Sequence, residues 1–494
     1  MTFGVNRHPS AVLATSLLAA ALAGCTVGPD FQRPQPPATN AYRDARETRP
    51  AAPAEPQAVL GDGPQARWWT AFGSEPLNAL VDEALAHNYS LVAANTTLLA
   101  ANDQVRALAG KRLPQVDANA RAEQEQVNLS AFGFDPSSFG ISGTPEFHLY
   151  TVGGGVSFDT DLFGGLRRQQ EQGAAQAESR LRQAQAAHLS IAGQVVGQVL
   201  TIAAIRRQIA VANALLADDQ RNVDLTRKRQ AGGEGTMVEV LNAQAQFAAD
   251  RGNLPQLDQQ FDAARHMLAT LVGKAPADLG PTDFDLATFT LPASVPVTLP
   301  SELVHKRPDI LQAEADLHAA TAAIGVATAK LYPDITLGAT ISQQAPFGGG
   351  LIQDAFRGYD IFGGLTLPIF HGGTLKAERA GAVHRAQAAE ATYHQTVIGA
   401  FGQVADLLSA LQSDARSVAN QQDSVAVAQH SLALSRRSFQ VGNSGVLQVL
   451  DSERLYQRAN TELVLAQTRQ YVNIARLYVA TAGGWDGPEK GGAK

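Results

Sequence analysis

Cysteine, aromatic side chains and, over two long stretches, proline are what this chain of 494 residues has least of. A single cysteine, Cys25, excludes a disulfide within the chain. Aromatics at 6% beside 45% hydrophobic residues argue against an aromatic-rich globule and suit close-packed helices of Ala, Leu, Gln and Val. Proline is absent between Pro145 and Pro255 and again between Pro368 and Pro488, so nothing in either stretch forces a helix to stop. Charge of one sign does not accumulate: 39 basic and 46 acidic residues leave a dispersed −7, with no basic stripe to hold nucleic acid. Catalytic signatures are missing too. No phosphate loop ending in Gly-Lys-Ser/Thr, no Gly-x-Ser-x-Gly elbow and no His-Glu-x-x-His zinc helix occurs. The 11 histidines are scattered, with His87, His188, His305 and His430 at unrelated points of helical segments, which fits surface and packing roles. Enzyme activity, a cofactor and a bound metal are therefore not expected.

The N-terminus reads as an export signal over residues 1–24, with Arg7 and His8 before an apolar run from Ala11 to Ala23 that is too short to span a bilayer. The run ends in Leu22-Ala23-Gly24-Cys25, which resembles the lipobox of bacterial lipoproteins, where the cysteine is acylated after cleavage just before it. Two or more acyl chains on Cys25 would hold the protein stably at a membrane surface. Residues 25–75 follow as an expected tether, because the Pro- and Ala-rich stretch from Pro29 to Pro64 should run extended and cannot build a core. Helical patterning begins near Pro76 with Leu77, Leu80, Val81, Ala84 and Leu85.

Inside the first proline-free stretch Val195, Ile202, Ile209, Leu216 and Val223 recur every seven residues. In the second, Phe401, Leu408, Ala415 and Gln422 alternate with Val404, Leu411, Val418, Val425, Leu432 and Phe439. Sustained heptads predict coiled-coil helices from Gly165 to Gln230 and from Gly373 to Gln440, each roughly 100 Å long at 1.5 Å per residue. Both end in Gly-rich breaks, Gln230-Ala231-Gly232-Gly233-Glu234-Gly235 and Val441-Gly442-Asn443-Ser444-Gly445, where glycine permits the left-handed backbone that closes helical hairpins. The breaks belong to an internal duplication. Val238-Glu239-Val240-Leu241-Asn242 matches Leu447-Gln448-Val449-Leu450-Asp451, Leu113-Pro114-Gln115-Val116 matches Tyr332-Pro333-Asp334-Ile335, and Asp161-Leu162-Phe163-Gly164-Gly165 matches Ile369-Phe370-His371-Gly372-Gly373. The first unit is set at 76–290, the second at 291–486, and a short tail at 487–494.

Each unit also holds two strand-like segments, at about 115–127 and 147–159 and at about 334–344 and 357–369. In the clearest, Ile335, Leu337, Ala339 and Ile341 alternate with Asp334, Thr336, Gly338, Thr340 and Ser342. Period-two alternation over roughly ten residues is what a membrane barrel strand needs, although a half-buried soluble sheet shows it too. Four strands cannot close a membrane barrel, and an open edge is not tolerated in lipid. Three chains of four strands each would close one.

Read in order, Val27-Gly28-Pro29-Asp30-Phe31-Gln32-Arg33-Pro34, Trp68-Trp69-Thr70-Ala71-Phe72, Asp161-Leu162-Phe163-Gly164, Leu299-Pro300-Ser301-Glu302-Leu303, Arg307-Pro308-Asp309-Ile310 and Pro368-Ile369-Phe370-His371-Gly372-Gly373 resemble the outer-membrane efflux factors of the TolC/OprM type. The lipobox makes the chain look like the NodT-type lipoprotein branch. The resemblance implies a mainly α fold with a membrane β-barrel part: a homotrimer with a twelve-stranded barrel in the outer membrane and a long coiled-coil barrel crossing the periplasm. It also implies a periplasmic adaptor, or membrane fusion protein, and an inner-membrane transporter of the resistance-nodulation-division type as partners. By position, Asp451 matches the family's periplasmic gate aspartate and Leu447 an apolar ring residue one turn earlier. A ring of Asp451 carboxylates would repel internally, attract cations and couple closure to protonation or metal binding. The chain departs from TolC at Gln448, Phe439 and Ser444, which replace an aspartate, a tyrosine and an arginine, so that lock does not carry over. The tips Gly232-Gly233 and Val441-Gly442-Asn443 match an adaptor-docking motif in part. The rival is a lipid-anchored periplasmic coiled-coil adaptor, which would normally carry one hairpin beside a compact β-rich domain.

Overall fold

In the computed structural model, residues 26–44, 46, 56–61, 63–126 and 146–481 are described; the expected signal segment, Cys25 and the tail at 487–494 lie outside them. In chain order the elements are β1 (Gln57–Gly61), a 3-10 turn at Trp68–Phe72, α1 (Glu75–His87), α2 (Tyr89–Gly110), β2 (Gln115–Gln126), β3 (Glu146–Asp159), α3 (Gly165–Ala231), α4 (Met237–Arg251) and α5 (Leu254–Val272). There follow β4 (Ser294–Thr298), α6 (Pro300–Lys306), α7 (Pro308–Ala329), β5 (Asp334–Ala345), β6 (Arg357–Thr366), α8 (Thr374–Gln440) and α9 (Val446–Thr481). The chain divides into two units, one of residues 1–33, 99–178 and 314–391, the other of 34–98, 179–313 and 392–494.

The first unit is built on an antiparallel sheet in the order β2-β3-β5-β6. Its strands hand over to helices through the paired Gly-rich motifs. Asp161 adopts φ +49° and its carboxylate accepts from the backbone N–H groups of Leu166 and Arg167 at 2.7 and 3.0 Å, which caps the start of α3. Phe163 from this turn stacks on Tyr332 ahead of β5, with ring centroids 4.7 Å apart.

The second unit holds the main core. Val195, Val199, Leu200 and Ile202 of α3, Val404 and Leu411 of α8 and Ile474, Leu477 and Tyr478 of α9 are buried in it together with Leu268, Val295, Leu303 and Ile310. Both long proline-free stretches are helices of 67 residues. The chain returns from α8 in the single helix α9, whereas the return from α3 is broken at Gly252-Asn253 before Pro255 in the first turn of α5.

The turns of the two hairpins are closed identically. Gly233 and Gly442 take φ +78° and +80°, their N–H groups bond back to the carbonyls of Gln230 and Phe439, and the next N–H groups, of Glu234 and Asn443, reach Arg229 and Ser438 at 2.9 Å each. This is the Schellman pattern, in which a left-handed glycine lets two orphan carbonyls find donors. After the first turn Thr236 and Glu239 form a reciprocal capping box that starts α4.

The stretch expected to be a coreless tether does pack. Its first residues are gathered by Arg168, whose side chain is 4% exposed and donates to the carbonyls of Val27 and Gly28 and to the carboxylates of Asp30 and Glu171. Phe31 stacks on His318 at 4.4 Å and Arg33 pairs with Glu314 at 2.7 Å. Within the second unit, Tyr42 donates to the carbonyl of Thr298, β1 pairs in parallel with β4, and Trp68, Trp69 and Phe72 are buried. Proline content misled here, because an extended segment can still be held by donors and by a strand edge lying elsewhere in the chain.

Trp68 stacks on Tyr478 at 5.4 Å and meets Trp69 and Phe72 edge-on. Removing its ring leaves a large cavity, so Trp68→Ala should destabilise the protein by about 3–5 kcal/mol, measured as a lower urea midpoint for loss of the helical circular dichroism signal.

Candidate functional site

Two arrangements have the makings of function, one in each unit. The first is the sheet. Register places Val116, Ala118, Ala120 and Ala122 of β2 opposite Val156, Gly154, Val152 and Tyr150 of β3. The same face continues through Phe158, Val156 and Gly154 to Leu337, Ala339 and Ile341 of β5, and from Ile335, Ala339 and Ile341 to Leu365, Ile361 and Tyr359 of β6. Over these positions the face is apolar, aromatic or glycine, yet Val116 is 79% exposed, Ile361 77% and Tyr359 81%; at one end of the strands it turns polar, with Gln124, His148, Gln343 and Arg357. The opposite face carries Asp117, Asn119, Arg121, Thr151, Ser157, Thr336, Thr340, Ser342 and Asp360, with Leu149 and Phe362 as apolar exceptions, the Phe362 ring lying over Gly338. A sheet with a largely apolar face on one side and a polar face on the other is built to divide hydrocarbon from water. Its outer strands, β2 and β6, have no further strand partner among the described residues.

The second arrangement lies at the hairpin ends of the second unit. Leu447 and Asp451 lie one turn apart on α9, and both are exposed; Asp451 pairs with its neighbour Arg454 at 2.7 Å. Gly232 and Gly233 lie at the end of α3, and Val441, Gly442 and Asn443 at the end of α8, with the Val441 side chain exposed. The two ends are tied together: Arg229 donates to the carbonyl of Phe439 at 2.9 Å and its guanidinium sits 4.8 Å over the Phe439 ring. Phe439, lacking a phenol, thus joins the hairpins through its ring face and its backbone.

Sequence reasoning missed a buried polar cluster just behind these ends. Glu453 of α9 is 2% exposed; it accepts from Arg436 of α8 at 2.8 Å and from the Asn222 amide of α3 at 2.7 Å. Arg436 also pairs with Asp218, and the hydroxyls of Ser435 and Ser452 bond at 2.7 Å. Asp219 of α3 is 1% exposed and neither carboxylate oxygen has a donor. Burial, then the neighbouring carboxylates of Asp250 and Glu453, push the Asp219 carboxyl up to about 7 against the pull of Arg436. A signal was present in the heptads, since Arg436 continues the series Phe401, Leu408, Ala415 and Gln422 by two further sevens, and Asp219 follows Leu216 by three. Polar residues at seam positions mark such clusters.

A family model described as outer membrane efflux protein matches residues 80–274 and 299–483. The pyoverdine export outer membrane protein OpmQ of Pseudomonas aeruginosa is 29% identical over 431 residues, covering 87% of this chain and 89% of its own. Among solved structures the outer-membrane channel OprN superposes with a TM-score of 0.83 at 27% identity, over 93% of this chain and all of its own. The open state of the Neisseria gonorrhoeae MtrE outer membrane channel does so with 0.79 at 26% identity, over 93% and 98%.

Truncating the buried acid would strand both Arg436 and Asn222. Glu453→Ala should therefore destabilise by about 3 kcal/mol, and Glu453→Gln, which keeps one acceptor, by about 1–2 kcal/mol, both read from urea titrations of the detergent-solubilised protein.

Proposed function

The chain belongs to the outer membrane efflux protein family, and from that premise we propose that it is the outer-membrane channel of a tripartite efflux system, a passive conduit and not an enzyme. It receives cargo from a periplasmic adaptor and an inner-membrane pump of the resistance-nodulation-division type and releases it outside. The observation that carries this reading is the sheet: four strands with an apolar face that crosses all of them and two edges that are unpaired among the described residues. Open edges are not tolerated in hydrocarbon, and three copies supply the twelve strands that close them into a barrel with the polar face on the lumen. The long helices α3 and α8, each of 67 residues, supply the periplasmic tube.

Within that assembly the exposed pair Leu447 and Asp451 forms the constriction at the periplasmic end, and the turns at Gly232-Gly233 and Val441-Gly442-Asn443 receive the adaptor. The apolar ring of Leu447 excludes hydrated ions, and three Asp451 carboxylates repel one another while concentrating cations at the mouth. Cys25 carries the lipid. Support comes from its neighbours, since the N–H of Val27, two residues on, donates to the carbonyl of Phe163 at 3.2 Å and Arg168 holds the stretch beyond, which fixes the chain just after the acylated residue beside the end of β3.

The gate is tested in planar bilayers. Asp451→Ala should raise the conductance of the purified protein several-fold and change its block by divalent cations; unchanged conductance and block would remove Asp451 from the constriction. For the anchor, Cys25→Ser should abolish labelling by radioactive palmitate while the barrel still fractionates with outer membranes, and persistent labelling would refute Cys25 as the acylated residue.

A further inference from the structure

We propose that Asp219 and Asp250 form a proton-operated clasp in the first hairpin, in which one shared proton holds α4 to α3 and its release loosens the return helix. The two residues lie nearly equidistant from the Gly233 turn, Asp219 upstream on α3 and Asp250 in the last turn of α4, and their carboxyl groups stand within hydrogen-bonding reach of each other. With both ionised neither can donate, so both oxygens of Asp219, 1% exposed, are left without a donor. A proton on one carboxyl turns the contact into an O–H···O⁻ bond, the short, charge-assisted kind. On deprotonation the proton leaves to water, and two like charges face each other in a site closed to solvent.

No neighbouring group can take the proton's place. On α3, Asp218 is engaged with Arg436 and Arg221, and Asn222 gives its amide to Glu453. On α4, Gln246 donates to one oxygen of Asp250 at 2.7 Å. From α8 comes Arg436, shared between Asp218 and Glu453, and from α9 comes Glu453, whose charge adds to the repulsion. Asp250 also sits among the last carbonyls of α4, where a carboxylate meets the negative end of the helix dipole.

The sign follows from the raised carboxyl. Held up to about 7 by burial first and then by Asp250 and Glu453, Asp219 keeps its proton in the closed hairpin over a range in which an opened one has already lost it. Opening of α4 should therefore become more favourable by up to about tenfold per pH unit from about pH 4 to about pH 7 and level off above that. Acid tightens the clasp. This separates it from the Asp451 ring, which lies on the exposed side of α9.

Hydrogen exchange of the full-length protein in detergent, followed by mass spectrometry and corrected for the pH dependence of the exchange chemistry, reads the opening directly. Peptides covering 213–226 and 237–251 should open about 50-fold more readily at pH 7 than at pH 5. Asp219→Asn, whose amide donates to Asp250 at any pH, should flatten that profile and slow exchange at pH 8, while Asp451→Asn keeps the wild-type profile. A flat profile in the wild-type protein, or a wild-type profile in Asp219→Asn, overturns the clasp. Should Asp219→Asn not fold, Asp250→Asn takes its place with the same expectation. Infrared difference spectra of the wild-type protein must also show a protonated carboxyl band at pH 6 that is gone at pH 9, and its absence overturns the clasp as well. Opening is read in the helices themselves, so failure here leaves the conduit reading untouched.

Discussion

A backbone N–H or C=O group has no water to turn to in hydrocarbon, and that constraint governs the sheet of this chain. Its apolar face spans all four strands in register, so lipid can solvate the side chains of one face, but lipid cannot solvate the edges of β2 and β6, which have no strand partner among the described residues. An edge in lipid must find another strand. Within one chain the order β2-β3-β5-β6 places the strands of the two sequence halves side by side and leaves one edge from each half at the margins. Pairing β6 of one copy with β2 of the next repeats the antiparallel alternation and can go on until the ring closes. Copy number is then decided by the circumference that the tilted strands enclose.

The helices answer a different problem. A helix of 67 residues cannot bury its whole length in one globular core, and α3 changes partners along its course. Near its middle, Val195, Val199, Leu200 and Ile202 sit in a fully apolar core. Towards the hairpin end, Leu225 packs against a small cluster of Leu432, Phe439, Val446, Val449 and Leu450, and the polar groups of Asp218, Asp219 and Asn222 take over the seam. Apolar packing is strong but tolerant of sliding. A half-buried Arg436–Glu453 pair crossed by an amide fixes register, at an expense in desolvation that an apolar seam would not incur.

Much of this was legible in the sequence because it rests on local rules. Proline-free stretches with heptads marked the long helices to within a residue or two at each end, and the Gly-rich breaks after Gln230 and Gln440 became the left-handed turns at Gly233 and Gly442. Alternation marked the strands, since period two is a property of the strand itself. What could not be read was whatever depends on distant partners. Nothing around Pro29 to Pro64 announces that Arg168, 138 residues beyond Asp30, will hold its first residues, or that β1 will find β4. Asp219 and Asp250 likewise look like surface carboxylates until the hairpin turns them towards each other. Leu447 and Asp451 were reached by resemblance, and a single chain leaves both at its surface, because any ring they form needs copies that one sequence does not contain.

The geometry of α9 links the buried cluster to that surface. Val446, Val449, Leu450 and Glu453, spaced at i, i+3, i+4 and i+7, are all buried, while Leu447 and Asp451 point the other way and are exposed. Two residues of α-helix turn through roughly 200°, so Asp451 and Glu453 stand nearly back to back on one rigid rod. Whatever holds Glu453 against Arg436 and Asn222 therefore also sets the azimuth of Leu447 and Asp451. A rotation of α9 about its axis would move both residues together and would have to stretch the Glu453 bonds to do so. The exposed pair of Leu447 and Asp451 and the polar seam are in this sense two faces of one helix, and the freedom of the first to turn is limited by the bonds of the second.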